Sequence, residues 1–255
     1  MAYVMLGRCE DLNDVFIAGK FKKEGIRVSP VALDESNGLL KKFLERNATE
    51  SKDREKFLKI SFLNVRSAYA HFKDVKNDQS IMDSDFIGLA ETHLEQNFEL
   101  SLQGYDQILA NAGKGKGTAS FFKRHLFSGA TKHVATLFSA NLVRGACIDV
   151  VILYLSQGFK FEEVKALLED WISIDKETAI LGDLNWHYEG DHKMKDWLLR
   201  LGFIQLIKSA THEQGSILDH VYINQKLIER GCHTTQHSVH FTDHDLITLF
   251  VQKFK

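Results

Sequence analysis

Residues 178–185 read Thr-Ala-Ile-Leu-Gly-Asp-Leu-Asn, a short apolar run that ends in two polar side chains, Asp183 and Asn185. An apolar run of this length, bounded by glycine and polar residues, is typical of a buried β-strand. Polar residues at the end of a strand lie at the edge of its sheet, where α/β proteins place their functional groups. The stretch therefore predicts an α/β fold with its chemistry at the strand ends.

The rest of the chain interleaves similar strands with helical patterns. Apolar residues from Phe161 to Trp171 fall on one face of a helix, and those from Met194 to Leu201 fall on another that ends at Gly202. Strands that alternate with helices indicate sheets covered by helices. The further predicted strands are Lys59–Val65, Asp85–Ala90, Thr118–Phe122, Ala146–Leu155, His220–Ile223 and Leu246–Val251.

Polar residues also stand at the ends of other predicted strands. Asn64 lies at the end of the first strand, Glu91 follows the second, Asp219 precedes the strand from His220, and Asp243 with His244 precedes the last. A single Asp or Asn at such a position is more often a turn-forming residue than a catalytic one. The whole set indicates a site.

Three of these residues predict a metal site. The carboxylates of Glu91 and Asp243 and the amide oxygen of Asn64 are hard oxygen ligands. Such ligands suit Mg²⁺ or Mn²⁺, whereas zinc prefers cysteine and histidine. The bound ion would neutralise a departing oxyanion.

The remaining residues of the set predict an in-line hydrolysis of phosphodiesters. We expect Asp183 to orient and deprotonate a water molecule, and Asn185 to donate a hydrogen bond to a phosphoryl oxygen. His244 would stabilise the transition state, with Asp219 fixing its tautomer and favouring its charged form.

Zinc is a competing interpretation of the C-terminal histidines. Cys232, His233, His237, His240 and His244 lie within thirteen residues, and the last two have the spacing HxxxH. The glutamate of the HExxH motif is absent, and Ser and Thr residues nearby disfavour a helix. The plainer interpretation places His233, His237 and His240 in loops or on a strand surface.

The charge of the chain is unevenly distributed. The formal net charge is -2, yet residues 107–148 contain six Lys or Arg and no Asp or Glu, which leaves 26 basic and 34 acidic residues elsewhere. An acid-free stretch in an acidic chain predicts a surface for a polyanion, although a solvated lysine-rich face is an equally good interpretation. The glycine-rich turn around Lys114 and Lys116 lacks the spacing of a phosphate-binding loop.

Length and composition exclude several classes of protein. The 255 residues, 44% hydrophobic and 26% charged, argue against disordered and collagen-like chains. Three widely spaced cysteines argue against a disulfide scaffold. Because there is neither a signal peptide nor a membrane-length apolar run, we expect no membrane partner and an intracellular location, in the nucleus.

Five ordered motifs resemble the endonuclease/exonuclease/phosphatase superfamily, which includes apurinic endonucleases, pancreatic-type deoxyribonuclease and the endonucleases of non-LTR retrotransposons. The resemblance covers residues 57–255 and implies a four-layered α/β sandwich with two central mixed sheets flanked by helices, Mg²⁺ or Mn²⁺ as cofactor, and the roles given above. The motifs are Leu63–Ser67, Ala90–Leu94, Leu181–Asn185, Leu218–Tyr222 and Thr242–Asp245.

The same resemblance adds further residues. Tyr154 is similar to a strand-end tyrosine that contacts the phosphate, although the usual proline beyond it is absent and a buried core tyrosine is the alternative. The spacing of the motifs is closest to the retrotransposon branch, which cuts DNA, so the acid-free stretch would bind the phosphate backbone. We assign nucleic-acid binding to Arg66, Lys114, Lys116, Lys123 and Arg124.

These features predict a monomeric, metal-dependent endonuclease of transposon origin that nicks DNA. One alternative is a phosphoesterase of the same superfamily that acts on lipid, inositol-phosphate or RNA substrates. The other is an inactive fragment that binds nucleic acid.

A second resemblance concerns residues 1–46, which read as a small α+β appendage followed by a charged linker at residues 47–56. Tyr3–Leu12 is similar to the last motif of Helitron-type superfamily-1 DNA helicases, with Gly7 where that family has serine. No Walker motif is present, so no ATP use is expected. We therefore expect a fragment of a helicase and endonuclease fusion.

Overall fold

The computed structural model of the chain describes residues 56–173, 175–188 and 192–253. The helicase-like appendage at residues 1–46 and nearly all of the charged linker lie outside the described residues. Within the described ranges, no helix is long and apolar enough to span a membrane.

Strands dominate the described part of the chain and are interrupted by short helices. In chain order the elements are β1 (Phe57–Asn64), α1 (Ala68–Asn77), α2 (Gln79–Met82), β2 (Phe86–Ala90), β3 (Asp106–Ala110), β4 (Thr118–Phe122), β5 (Phe127–Val134), β6 (Phe138–Gly145), β7 (Asp149–Leu155), α3 (Phe161–Trp171), β8 (Thr178–Asp183), α4 (Lys193–Arg200), β9 (Phe203–Gln205), β10 (Asp219–Asn224), α5 (Gln225–Arg230), β11 (Cys232–Ser238) and β12 (Asp245–Gln252).

The strands form two six-stranded mixed sheets. The first sheet has the order β11-β12-β1-β2-β4-β3, and the second has the order β5-β6-β7-β8-β10-β9. The pairs β1/β2 and β7/β8 are parallel, and the other neighbours are antiparallel. In each sheet the one parallel pair is central, so its two strands end at the same edge.

The two sheets pack face to face, and helices cover their outer faces. Ile60 and Phe62 on β1 share one buried cluster with Ile152 on β7, which places the central core between the sheets. Because successive side chains on a strand point to opposite faces, Leu63 belongs instead to the outer cluster with Phe72 of α1. Helices α3 and α4 pack on the outer face of the second sheet. These four layers confirm the predicted sandwich.

Within the described residues, each strand and both helices predicted from apolar patterns are present in the structure. The patterns missed the buried strand β6, whose apolar residues Phe138, Leu142 and Val143 are interrupted by polar ones, and two edge strands with few apolar residues. Strand β5 is largely exposed at the edge of its sheet, and β11 carries Thr, Gln and His at the edge of the other. Their hydrogen bonds come from pairing with β6 and β12, which is a tertiary effect that no local pattern records.

Gly182 allows the strand that carries the predicted base to approach its neighbour closely. A Cβ atom at Gly182 would overlap the backbone carbonyl of Leu153 on β7. Only glycine fits this contact, which sits one residue before Asp183. The packing of β7 against β8 therefore fixes the position of Asp183.

Candidate active site

The strand ends meet at one edge of the sandwich, as predicted. In the β1/β2 register Asn64 lies opposite Ala90, the residue before Glu91. In the β8/β10 register Asp183 lies opposite Asp219. The central parallel pairs, β1/β2 and β7/β8, thus carry site residues to the edge that both sheets share.

Asn64 connects the two sheets at this edge. Its Nδ2 donates to Oδ2 of Asp183 at 2.8 Å, and its side chain is fully buried. Its backbone carbonyl accepts a hydrogen bond from Thr242 Oγ1 at 2.9 Å, which fixes the loop before β12. Asn64 therefore positions a carboxylate of the second sheet as well as offering an amide oxygen.

Asp183 is a buried carboxylate with a donor on each oxygen. The backbone N–H of Asn185 donates to its Oδ1 at 2.9 Å, and Asn64 donates to the other oxygen. Burial, followed by the charge of Asp219, raises the pKa of Asp183 to about 8, while the charge of His244 opposes this rise. The orientation of the carboxylate is fixed before any substrate binds.

His244 and Asp219 form a buried pair. Nδ1 of His244 lies 2.7 Å from Oδ2 of Asp219, and Asp219 is fully buried. Burial lowers the pKa of His244, but the hydrogen bond and charge of Asp219 outweigh it and raise the pKa to about 9. The imidazole is held as a cation. One ligand atom each of His244, Asp219 and Asp183 lie within 4.8 Å of one another.

Tyr154 and Asn185 also lie at this edge. Tyr154 is opposite Asp183 in the β7/β8 register, and its hydroxyl donates to the carbonyl of Gly115 at 3.0 Å. Burial and then the charge of Glu91 raise the pKa of Tyr154. Asn185 has a left-handed backbone (φ 53°), and its Nδ2 donates to the Leu155 carbonyl at 2.8 Å. One amide hydrogen of Asn185 is left for another acceptor.

Glu91 follows β2 on a strained backbone. Its φ of 48° is uncommon for a non-glycine residue, and such strain concentrates at functional sites. Nε2 of His93 lies 3.6 Å from its carboxylate. The carboxylate is close enough to Asp183 and Tyr154 for its charge to raise the pKa of both.

The oxygen donors at this edge fit a hard divalent cation. Asp243 has one carboxylate oxygen, Oδ1, that is buried and has no hydrogen-bond partner. A buried carboxylate oxygen of this kind is stabilised by a cation. Asn64 Oδ1 accepts only one hydrogen bond among the described residues, from the Arg66 backbone N–H at 3.0 Å, and has a second lone pair. Glu91 adds a carboxylate.

The basic residues assigned to nucleic-acid binding do not form one surface. Arg66 pairs with Asp243 at the site, and Lys114 is exposed in the turn that contains Gly115. The Lys116 ammonium donates to the Thr136 carbonyl. Lys123 and Arg124 follow the far end of β4, the strand whose other end, Thr118, pairs with Ala90 beside Glu91.

Solved structures with the same arrangement of sheets include nucleases and related enzymes. An AP endonuclease from Archaeoglobus fulgidus superposes with a TM-score of 0.61 at 17% identity, over 76% of this chain and 99% of that one. The 3'-5' exonuclease NExo from Neisseria meningitidis superposes with a TM-score of 0.60 at 18% identity, over 75% of this chain and 98% of that one. The endonuclease domain of TRAS1, a telomere-specific non-LTR retrotransposon, has a TM-score of 0.57 at 11% identity, over 76% of this chain and 98% of that one.

The chain has the DNase I-like α/β-sandwich fold of these enzymes. No protein-family profile matches the sequence, and no curated protein is detectably similar to it. The likeness is therefore one of fold.

Two residues that shape this site have no signal in the sequence. His212 Nε2 lies 3.2 Å from Asp243 Oδ2, and its ring contacts that of His244 edge-on at 4.8 Å between centroids. Thr211 Oγ1 accepts the backbone N–H of Leu218 at 3.1 Å and of Asp219 at 3.0 Å. Both lie in a polar loop without a periodic pattern.

The alternative zinc site is not assembled. Among the described residues, His212 and His244 are the histidines with other ligand groups close enough to share an ion. The remaining candidates are not in such a group: Cys232, His233, His237 and His240. His233 and His237 lie on β11, where the ring of His233 stacks on Phe250. This agrees with the plainer interpretation of these histidines.

His220 is a buried histidine that the proposed chemistry does not use. Its Nε2 lies 3.1 Å from the Trp186 carbonyl, and Nδ1 is buried without a hydrogen-bond partner. Burial lowers the pKa of His220 to about 4. The side chain is therefore neutral, and its Nε2–H donates to the Trp186 carbonyl, which can only accept.

Acidification should destabilise the protein through His220. Above the unfolded pKa of about 6.5 the ring is neutral in both states; between about pH 6.5 and 4 the unfolded chain binds the extra proton. The free energy of unfolding should therefore decrease as the pH is lowered, and at pH 4 it should be smaller than at pH 7 by on the order of 3 kcal/mol. Urea unfolding at pH 7 and pH 5 measures this loss of stability. The loss should be smaller in His220→Gln than in wild type, while the exposed control His125→Gln should lose as much as wild type. An equal loss in all three proteins would contradict the prediction.

Proposed function

We propose that the chain is a divalent-metal-dependent DNA endonuclease that hydrolyses one phosphodiester bond at the shared edge of its two sheets. The observation that carries this proposal is the buried group of Asp183, Asp219 and His244, whose ligand atoms lie within 4.8 Å of one another. It combines a fixed carboxylate with a fixed cation, which is the pair that in-line attack on a phosphate requires.

Asp183 acts as the base in this proposal. Asn64 and the Asn185 N–H hold its two oxygens, so the carboxylate can orient a water molecule and accept its proton. The charge on His244 favours the ionised form of Asp183. Asn185 keeps one amide hydrogen for a phosphoryl oxygen, since the other donates to Leu155.

His244 supplies positive charge where the phosphate becomes more negative. Its Nδ1–H is held by Asp219, so Nε2–H of the charged ring remains to stabilise the phosphoryl oxygens in the transition state. The Tyr154 hydroxyl, anchored on the Gly115 carbonyl, provides a further polar group on the same side. No rearrangement of this buried pair is needed.

Glu91 and Asp243, with the amide oxygen of Asn64, are the residues that would hold Mg²⁺ or Mn²⁺. A divalent cation there would supply positive charge that offsets the departing oxyanion and favours the ionised form of Asp183. Its binding must compete with Arg66, which pairs with Asp243 in the structure.

DNA is the substrate that the surroundings favour. Lys114 is exposed beside the site, in the same turn as the Gly115 carbonyl that binds Tyr154. Structures of the same fold include AP endonucleases and a 3' phosphatase form of NExo bound to a product DNA hairpin. Contacts to phosphates would make binding weaken with added salt.

Nicking of supercoiled plasmid tests the proposal. Purified protein should convert it to the open circular form with Mg²⁺ or Mn²⁺ and should fail to do so with EDTA. Release of phosphate from small phosphoesters while plasmid stays intact would overturn the DNA assignment in favour of a phosphoesterase. Salt-sensitive DNA binding without cleavage in either metal would overturn the enzymatic assignment.

A further inference from the structure

Two aromatic side chains are exposed together at the rim of the proposed site. Tyr69 is 79% exposed, the highest value for a large hydrophobic residue in the described part of the chain, and Phe98 is 39% exposed. Their rings meet edge to face, with centroids 5.9 Å apart and planes at 71°. Lone exposed aromatic residues are common, but a mutually oriented pair presents a defined ring face.

Hydrogen bonds anchor the two segments that carry these rings to the chain around Glu91. The backbone N–H of Ala68 donates to the carbonyl of Thr92 at 2.9 Å, so helix α1 and Tyr69 begin beside the residue that follows Glu91. Asn111 Nδ2 donates to the carbonyls of Glu95 and Phe98, each at 2.9 Å, which ties the loop carrying Phe98 to the end of β3. Neither ring depends on a free loop for its position.

Positive charge lies along one side of the pair. Lys73 is exposed one turn further along α1, on the face that carries Tyr69, and makes no ion pair among the described residues. Lys114 is exposed in a turn that the Gly113 N–H joins to the Leu94 carbonyl at 2.9 Å. Because Glu95 and Glu99 flank Phe98, a polyanion would run past the lysines and present its apolar groups to the rings.

We propose that Tyr69 and Phe98 form a stacking platform for an unpaired base of the substrate next to the cut. The inference rests on the proposed function and narrows its substrate to nucleic acid with an unstacked nucleotide, such as a single strand, an overhang or an extruded base. In an intact duplex each base face is covered by its neighbours, so only an unpaired base can occupy the rings. The lysines would hold the adjoining phosphates.

Binding of a fluorescent oligonucleotide tests the platform without requiring cleavage. A single strand with one 2-aminopurine, and a blunt duplex of the same sequence, are titrated with protein in EDTA. Stacking of a base on an aromatic ring should make Tyr69→Ala and Phe98→Ala bind the single strand roughly 5- to 100-fold more weakly. Binding of the duplex should stay unchanged. Tyr69→Phe should keep wild-type affinity, because it keeps the ring.

Leu199→Ala is the matched control, since Leu199 is a 43% exposed apolar residue on α4. The inference would be overturned if the variant with both Tyr69→Ala and Phe98→Ala bound the single strand with wild-type affinity. It would also be overturned if that variant lost the same affinity for the single strand and for the duplex. Plasmid nicking is scored separately. If binding depends on the rings but no metal-dependent cleavage occurs, the platform is supported and the proposed function is rejected. If cleavage occurs but binding does not depend on the rings, the proposed function is supported and the platform is rejected.

Discussion

Asp183→Asn should lower the rate of DNA cleavage by roughly 10²- to 10⁴-fold while the protein stays folded. An amide cannot accept the proton of the attacking water, although it occupies the same volume. The substitution keeps one oxygen for a hydrogen bond from Asn64 or from the Asn185 N–H. Initial nicking rates at saturating Mg²⁺, with thermal unfolding as a check on the fold, measure the effect.

Asp170→Asn is the matched control for this substitution. Asp170 is an exposed carboxylate near the end of α3, so its loss should leave the nicking rate unchanged. Cleavage at the wild-type rate by Asp183→Asn would show that another group activates the water. A folded but inactive Asp170→Asn would instead indicate that loss of a carboxylate affects the assay unspecifically.

The position of Asp183 was predictable because the local sequence contains its cause. An apolar run from Thr178 builds a fully buried strand, and the polar residue that ends it must lie at the sheet edge. The same reasoning placed Asn64, Glu91 and Asp219. Whether these four residues converge depends on which strands pair. The five ordered motifs suggested that pairing, and the register of the two sheets shows it.

The charge of the acid-free stretch was harder to interpret from the sequence. Arg124 makes two hydrogen bonds of 2.7 Å to Asp106, one residue before the stretch begins, and Arg144 lies 3.0 Å from Asp149, one residue after it ends. Residues just outside a sequence window thus neutralise charges inside it. The stretch accordingly presents fewer unpaired cations than its composition implies.

Residues that act through tertiary contacts had no local signal at all. Helix α1 has only three buried residues, Ala68, Phe72 and Val75, so its apolar pattern is weak and the exposed Tyr69 could not be placed. His212 reaches Asp243 only because its loop folds back on the start of β12, where the Asp245 N–H donates to the Thr211 carbonyl at 2.9 Å. Such contacts follow from the fold rather than from periodicity.

The second large effect should come from the His244–Asp219 pair. His244→Ala and Asp219→Asn should each reduce kcat/KM by roughly 10²- to 10⁴-fold. Loss of His244 removes the charge that faces the phosphate, and Asp219→Asn removes the negative charge that holds the ring as a cation, although an amide oxygen remains as an acceptor. The variant with both changes should be no slower than the slower single variant.

This non-additive result is what distinguishes a positioning role for Asp219 from an independent one. If Asp219 acts only through His244, removing Asp219 from an enzyme that already lacks the imidazole costs nothing more. If the two losses multiply instead, Asp219 must contribute separately, and its buried Oδ1 without a partner is the atom that would do so. His125→Gln, an exposed histidine on the loop after β4, should retain wild-type kcat/KM and shows that losing a histidine alone is harmless.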